Sequence, residues 1–213
     1  MLRQLKIAIM SVIAFTLLFG LVFPIGFTGL ASLLFPRQAA GSLVTRGGRI
    51  VGSGLIAQAF TGAGYFHPRP SAAGAGYDAG DSYGTNLGPT SDKLIHGIHH
   101  RLPNGQDDPG NFAGIRDLAA AYRGENGLPP GALLPADAVT RSASGLDPDI
   151  SPANAERQVA RVAAARGWST QEVRQLVQAH TRARQFGLLG EPRVNVLELN
   201  LALDDARRAP DRP

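Results

Sequence analysis

The stretch IAIMSVIAFTLLFGLVFPIGFTGLASLLFP, residues 7–36, runs for 30 residues without a charged side chain, and its reading decides the fold. An α-helix rises about 1.5 Å per residue, so roughly 20 apolar residues cross a hydrocarbon core of ~30 Å. Residues 7–27 meet that length. Pro24 near the far end is tolerated, because membrane helices re-satisfy the backbone groups that a proline frees. The competing reading is a cleaved export signal, with Gly29-Leu30-Ala31 as a small-x-small cleavage site. Export signals carry an apolar core of only ~7–15 residues, whereas here Ser32-Leu33-Leu34-Phe35 stays apolar beyond that site. The stretch therefore predicts one uncleaved transmembrane helix.

Outward from this helix, Arg3 and Lys6 precede it and Arg37, Arg46 and Arg49 follow it. The preceding charges lie closer to the membrane edge, which leans toward a cytoplasmic N-terminus and an outer C-terminal domain. Thr16, Gly20 and Pro24 recur every four residues on one helix face. Small residues at that spacing admit a second helix, although glycine and proline are also common in membrane helices generally.

The 213 residues carry a net charge of +4 and a sequence pI near 10, which would suit a nucleic-acid binder if the charge were concentrated. It is not. The first acid is Asp78, and from there on 15 Lys and Arg face 17 Asp and Glu, scattered along the chain. A nucleic-acid surface needs a basic face with base-reading or stacking residues, so no nucleic-acid partner is expected. With no cysteine, thiolate metal sites, disulfides and thiol nucleophiles are excluded.

Beyond the membrane, two β-prone runs flank Gly47-Gly48, a two-residue loop suited to a type I′ hairpin turn. Residues 55–60 suggest one or two helical turns. Residues 61–90 are dense in Gly, Pro, Ser and Tyr, and read as a long irregular segment of the kind that is functional or disordered. Short helices are expected over 93–100 and 115–122, separated by a turn-rich excursion at 102–110. Ser151-Pro152 caps and opens a helix that Gly167 ends. Ser169-Thr170-Gln171-Glu172 is a capping box, and behind it Val173, Leu176, Val177 and His180 fall on one face. Residues 194–203 alternate Leu197, Leu199, Leu201 and Leu203 with Glu198, Asn200 and Ala202, which predicts a strand with a bulge near Val196. The fold class is α+β. Residues 1–36 form the N-terminal segment with the membrane helix at about 7–27, residues 37–204 one mixed extramembrane domain, and residues 205–213 a polar tail.

Few side chains suggest catalysis. His96 and His100 are four apart, as zinc ligands are in HExxH sites, with His99, Asp107 and Asp108 nearby. The position of the required glutamate holds Gly97, so a solvated surface is preferred and no metal site is assigned. Gly74-Ala75-Gly76-Tyr77-Asp78-Ala79-Gly80 matches a dinucleotide loop in spacing only. There is no GxxxxGK[ST] loop and no GxSxG elbow, so no catalytic residue is assigned. His180 on an apolar face reads as a core histidine, and Asp147-Pro148-Asp149 as a turn into a helix. The segment Tyr65-Phe66-His67-Pro68-Arg69-Pro70 suits docking on another surface, and nearly as well packing under its own domain.

Several motifs in order carry a resemblance: LFPRQAAGSL at 34–43, YFHPRPSA at 65–72, NLGPT at 86–90, GLDPDISP at 145–152 and GEPRVNVLELNLALD at 190–204. Along nearly its whole length the chain resembles the C subunit of Kdp-type potassium-transporting ATPases. It departs from the family pattern at Asp149, where members often carry His, at Ala143, often Gly, and in a longer stretch at 99–114.

The resemblance implies a non-catalytic subunit of a potassium-import complex, in a bacterial inner membrane. Its partners would be a potassium-channel-like subunit, a P-type ATPase subunit and a small single-helix subunit, within the lipid bilayer. It also implies an assembly role and a chaperone action that raises the pump subunit's ATP affinity. No tightly bound cofactor is implied; ATP would enter through the pump subunit. Family likeness offers Ser142, Ser144, Gly145 and Asp147 as nucleotide contacts, a stretch that reads equally as a cap and turn. The alternative function is a membrane-anchored extracytoplasmic hydrolase or metal-dependent enzyme using His67 or the 96–100 histidines. In an outer domain, residues 65–71 would lie only ~30 residues past the membrane exit, at high effective concentration over a partner. They are expected to hold the complex together or cap the ion entrance.

Overall fold

The computed structural model describes residues 1–208; the part of the expected polar tail from 209 onward lies outside the described residues. The chain divides into two compact units that meet between Ser53 and Gly54. The hairpin thus groups with the membrane helix.

In the first unit, α1 (Leu2–Leu17), a π-helical turn (Leu18–Val22) and α2 (Phe23–Leu34) make one continuous helix of 33 residues. It extends past the expected 7–27 at both ends, and none of its residues is buried. Exposed Leu, Ile, Val and Phe over its length are what a helix in contact with lipid presents. Proline has no N–H and its ring crowds the carbonyl four residues back. Here the helix widens just ahead of Pro24, with Phe23 N–H bonding Leu18 O, five residues back. A short helix α3 (Pro36–Ala39) leads to β1 (Leu43–Arg46) and β2 (Arg49–Ser53), an antiparallel pair with a register shift between Val44 and Thr45. Gly47 and Gly48 take φ of 57° and 76°, the two positive angles of the expected turn.

The second unit opens with no helix. Leu55 and Ile56 lie in a turn, and Ala57 N–H bonds Leu146 O at 3.0 Å, which draws the segment out along another strand of chain. The irregular run continues to α4 (Asp92–His96), which is shorter than expected because Gly97 adopts φ 83° and ends it. Then follow α5 (Ile115–Glu125), α6 (Ala136–Val139), β3 (Asp149–Ile150), α7 (Pro152–Arg166), α8 (Thr170–Ala179), β4 (Thr181–Arg182), β5 (Arg193–Asn195) and α9 (Val196–Arg208). Strands β3, β5 and β4 form an antiparallel sheet in that order. Both expected caps are present: Ser151 Oγ accepts Asn154 N–H, and Ser169 and Glu172 close a capping box.

Of the leucine-rich strand expected at 194–203 only Val194 and Asn195 are strand, and from Val196 a helix runs on into the start of the expected tail. Val196, Leu197, Leu199, Asn200 and Leu203 are the buried positions, a spacing of one helix face. Asn195 Oδ1 accepts Glu198 N–H at 3.1 Å, the bond of an N-cap. Leucine's helix propensity and this cap outweigh the two-residue alternation.

Helices α7, α8 and α9 and strands β3 and β5 enclose one apolar core around Phe66, Val159, Val162, Val173, Val194, Leu199 and Leu203. A smaller cluster under α5 and α6 joins Tyr122, Ala138 and Val139 to Leu118, Leu128 and Leu134.

Candidate functional site

Five buried carboxamide side chains run through the second unit: Asn126, Asn154, Gln158, Asn195 and Asn200. Two of them hold the irregular segment. Phe66 N–H donates to Asn200 Oδ1 at 2.8 Å, and Asn200 Nδ2 donates to Phe66 O at 2.9 Å. One residue on, His67 N–H donates to Gln158 Oε1 at 2.7 Å and Gln158 Nε2 to His67 O at 3.1 Å. Buried backbone groups need partners, and outside sheet and helix these amides supply them. A segment without secondary structure is thereby built into the core.

The expected docking segment is accordingly bound by its own domain, with Phe66 buried and its neighbours partly exposed. Phe66 is wholly buried, and Arg69 Nη1 pairs with Asp147 Oδ2 at 2.8 Å. Tyr65 lies under the Arg166 guanidinium, 4.8 Å from ring centroid to Cζ, and donates to Asp204. The Phe66 ring is therefore not available as an interface anchor, whereas the Tyr65 ring is partly exposed.

His67 faces a cavity of about 220 Å³ lined by Phe60, Tyr77, Tyr122 and Glu125. Its Nδ1 pairs with Glu125, and its Nε2 lies 3.0 Å from Gly62 O. In a hydrolase that second nitrogen would meet a serine hydroxyl; here a backbone carbonyl occupies its position. The His67 hydrogen bond holds the Glu125 carboxyl below its ordinary value; burial opposes, and the charges of His67 and Arg161 add to the lowering. Burial, and then the Glu125 charge, push the Tyr77 phenol up to about 12. His180 is half-buried, with Nδ1 on Leu176 O at 2.9 Å.

The 96–100 histidines diverge. His96 Nδ1 bonds Asp92 Oδ1 at 2.6 Å, whereas His99 Nε2 meets Asp117 Oδ2 at 3.1 Å. Because α4 ends at Gly97, His96 and His100 share no helix face. Among the described residues no three His, Asp or Glu side chains converge as a metal ion requires.

The nucleotide candidates form a loop that is used by its own domain. Ser144 O accepts Tyr83 N–H at 3.1 Å and Ser82 Oγ at 3.0 Å, and Ser144 Oγ accepts Leu146 N–H. Gly145 takes φ 69°, and its carbonyl accepts Ser71 Oγ at 2.7 Å. Ser142 Oγ lies 3.5 Å from Ser144 Oγ, and Asp147 bonds Arg69 and Asp149 N–H. The neighbouring Asp149, raised by burial and by Asp147, pairs with Arg193 at 3.0 Å.

Beside this loop opens a cleft of about 310 Å³ lined by Ser71, Tyr83, Leu87, Lys93, Phe112 and Arg141. Lys93 Nζ stands 5.1 Å and Arg141 Cζ 4.5 Å from the Phe112 ring centroid. Arg141 donates to Ala113 O at 3.0 Å, and neither cation has a carboxylate partner among the described residues. Burial pulls the Arg141 guanidinium below its usual value. Two cations without an acid make this cleft electropositive, able to hold a carboxylate or phosphate oxygen. Lys93, Phe112 and Arg141 lie far apart in sequence with no pattern between them, and sequence reading missed them as a group. For the bracketing amides a signal was present: Asn154 and Gln158, four apart, sit on the apolar stripe with Ala155, Val159 and Val162.

One exposed apolar helix and an α+β unit cross-braced by buried amides define a single-span membrane protein. Comparison narrows this further. The family profile of the K+-transporting ATPase c chain, KdpC, matches residues 5–205, and the chain belongs to that family. It is 50% identical over 206 residues to the potassium-transporting ATPase KdpC subunit of Rhodospirillum rubrum, covering 96% of this chain and 97% of that one. The KdpC subunit of Koribacter versatilis is 48% identical over 208 residues (98% and 97%), and that of Mycobacterium tuberculosis 49% over 202 residues (95% and 98%).

Proposed function

We propose that this chain is a non-catalytic accessory subunit that helps assemble a potassium-importing pump and raises the ATP affinity of its P-type ATPase subunit. Family membership over residues 5–205, together with one apolar helix of 33 residues, carries this reading. The helix holds the chain in a bacterial inner membrane with the N-terminus cytoplasmic and the second unit outside. Its partners there are a potassium-channel-like subunit, the ATPase subunit and a small single-helix subunit. The histidine and acid geometry supports the non-catalytic assignment, since His67 and His180 are both bonded to backbone carbonyls. No tightly bound cofactor is assigned. With the second unit outside, ATP affinity is raised through coupling across the assembly, by stabilising the conformation of the ATPase subunit that binds ATP better.

The test uses the absence of cysteine. Asn104→Cys, on the exposed excursion, reacts with a membrane-impermeant maleimide in intact cells if the second unit is outside, and only after lysis if it is inside. A tagged full chain is expected to co-purify with the ATPase and channel-like subunits; recovery without either would refute the accessory role.

A second reading follows from the two unpaired cations. Phosphate contact, expected at Ser142, Ser144, Gly145 and Asp147, is better supported at the adjoining Lys93–Arg141 cleft, because the loop's own polar groups are engaged. Titration of the full chain in detergent with ATP or inorganic phosphate, against Lys93→Ala/Arg141→Ala, tests it. Equal affinity in both chains would refute it.

A further inference from the structure

The hairpin of β4 and β5 projects a tip that its own domain does not cover. Thr181 pairs with Val194 and Arg182 with Arg193, and beyond them the chain continues as a narrow finger. Phe186, Leu188 and Leu189 at its end are 88%, 77% and 56% exposed. The tip is nonetheless fixed. Gln185 and Leu189 exchange both backbone hydrogen bonds at 2.9 Å, Leu188 N–H bonds Gln185 O at 3.1 Å, and Gly187 N–H bonds Arg184 O at 3.0 Å. Phe186 holds φ 55°, an unusual angle for a bulky side chain, ahead of Gly187 at 73°.

We propose that this tip inserts Phe186 and Leu188 into an apolar recess on another protein subunit of the same complex; this rests on the accessory-subunit reading. Three observations select the occupant. Large apolar side chains kept in water by a rigid turn are arranged for a partner surface, and a preformed tip loses little entropy on docking. The stem arginines are each neutralised: Arg184 by Glu191, Arg182 by Glu198, Arg193 by Asp149. A lipid-inserting tip instead carries unpaired basic residues that face anionic headgroups, whereas an aromatic anchor within a charge-compensated rim is the pattern of a protein interface.

The test is the double variant Phe186→Asn/Leu188→Ser in the tagged full chain. Asparagine accepts the left-handed angle more readily than phenylalanine, so the urea midpoint followed by Trp168 fluorescence is expected to stay level or rise. Co-purified partner subunits are expected to fall roughly tenfold or more, the scale of losing two central anchors. Undiminished co-purification would overturn the tip's role while leaving the accessory reading intact. If the unmodified chain itself captured no partner, both would fall. Leu189→Cys labelled with an environment-sensitive dye gives the lipid outcome: a blue shift in nanodiscs without partners would overturn the protein recess, and a shift only in the assembled complex supports it.

Discussion

Replacing Asn200 by leucine tests whether the irregular segment is held by side-chain amides. Leucine has the branching and heavy-atom count of asparagine, though its two methyls take more room, and it can neither accept Phe66 N–H nor donate to Phe66 O. Both groups are buried, and each left unsatisfied costs ~1–3 kcal/mol, or ~2–6 kcal/mol together. That is a large share of the ~5–15 kcal/mol that holds a typical domain. With a urea dependence of ~1–3 kcal/mol per molar, the central values, ~4 kcal/mol over ~2 kcal/mol per molar, put the fall in midpoint at about 2 M. Trp168, the chain's single tryptophan, packs against the core containing Phe66 and reports the transition in the full chain in detergent. Asn104→Ala, on the exposed excursion, serves as the control and should stay within about 0.5 kcal/mol of the unmodified protein. A midpoint for Asn200→Leu equal to that control would refute the bracketing argument.

Gly145→Ala should destabilise the 71–84 loop, because φ is 69° and a Cβ there would meet Ala73 N and Tyr83 O at 2.7 Å. Faster limited proteolysis within that loop checks it, with an expected stability loss of about 1–3 kcal/mol. Glu125 is held below its ordinary value of 4.5, so its contribution is complete above that pH and is lost as pH falls through the lowered folded value. Unmodified protein should therefore exceed Glu125→Gln in urea midpoint at pH 7, with the gap closing in acid; a gap constant from pH 7 to 3 would contradict this. Gly20→Leu should weaken assembly by blocking close approach at the Thr16–Gly20 face, read as reduced co-purification at unchanged membrane insertion.

What was legible in the sequence was what local chemistry dictates. The membrane helix, the Gly47-Gly48 turn, the Ser151 and Ser169 caps and the stop at Gly167 each depend on neighbouring residues. The 196–208 helix was misread because leucines two apart satisfy a strand pattern while 196, 199, 200 and 203 also satisfy a helix. The cap pattern Asn195-Val196-Leu197-Glu198 was the deciding signal. Residues 55–60 failed as a helix because Leu146 O, 89 residues away from Ala57, takes the Ala57 N–H. The same distance in sequence hid the cationic cleft and the Asn200–Phe66 bracket, whose partners are 134 residues apart. Such pairs exist only once the chain has folded.

The most direct measurement compares potassium-stimulated ATP hydrolysis by the purified pump with and without this chain, across a range of ATP concentrations. Hydrolysis is expected to fall when the chain is absent, any residual activity to need more ATP, and both to recover on its return. Identical rates and identical ATP dependence in the two preparations would contradict this.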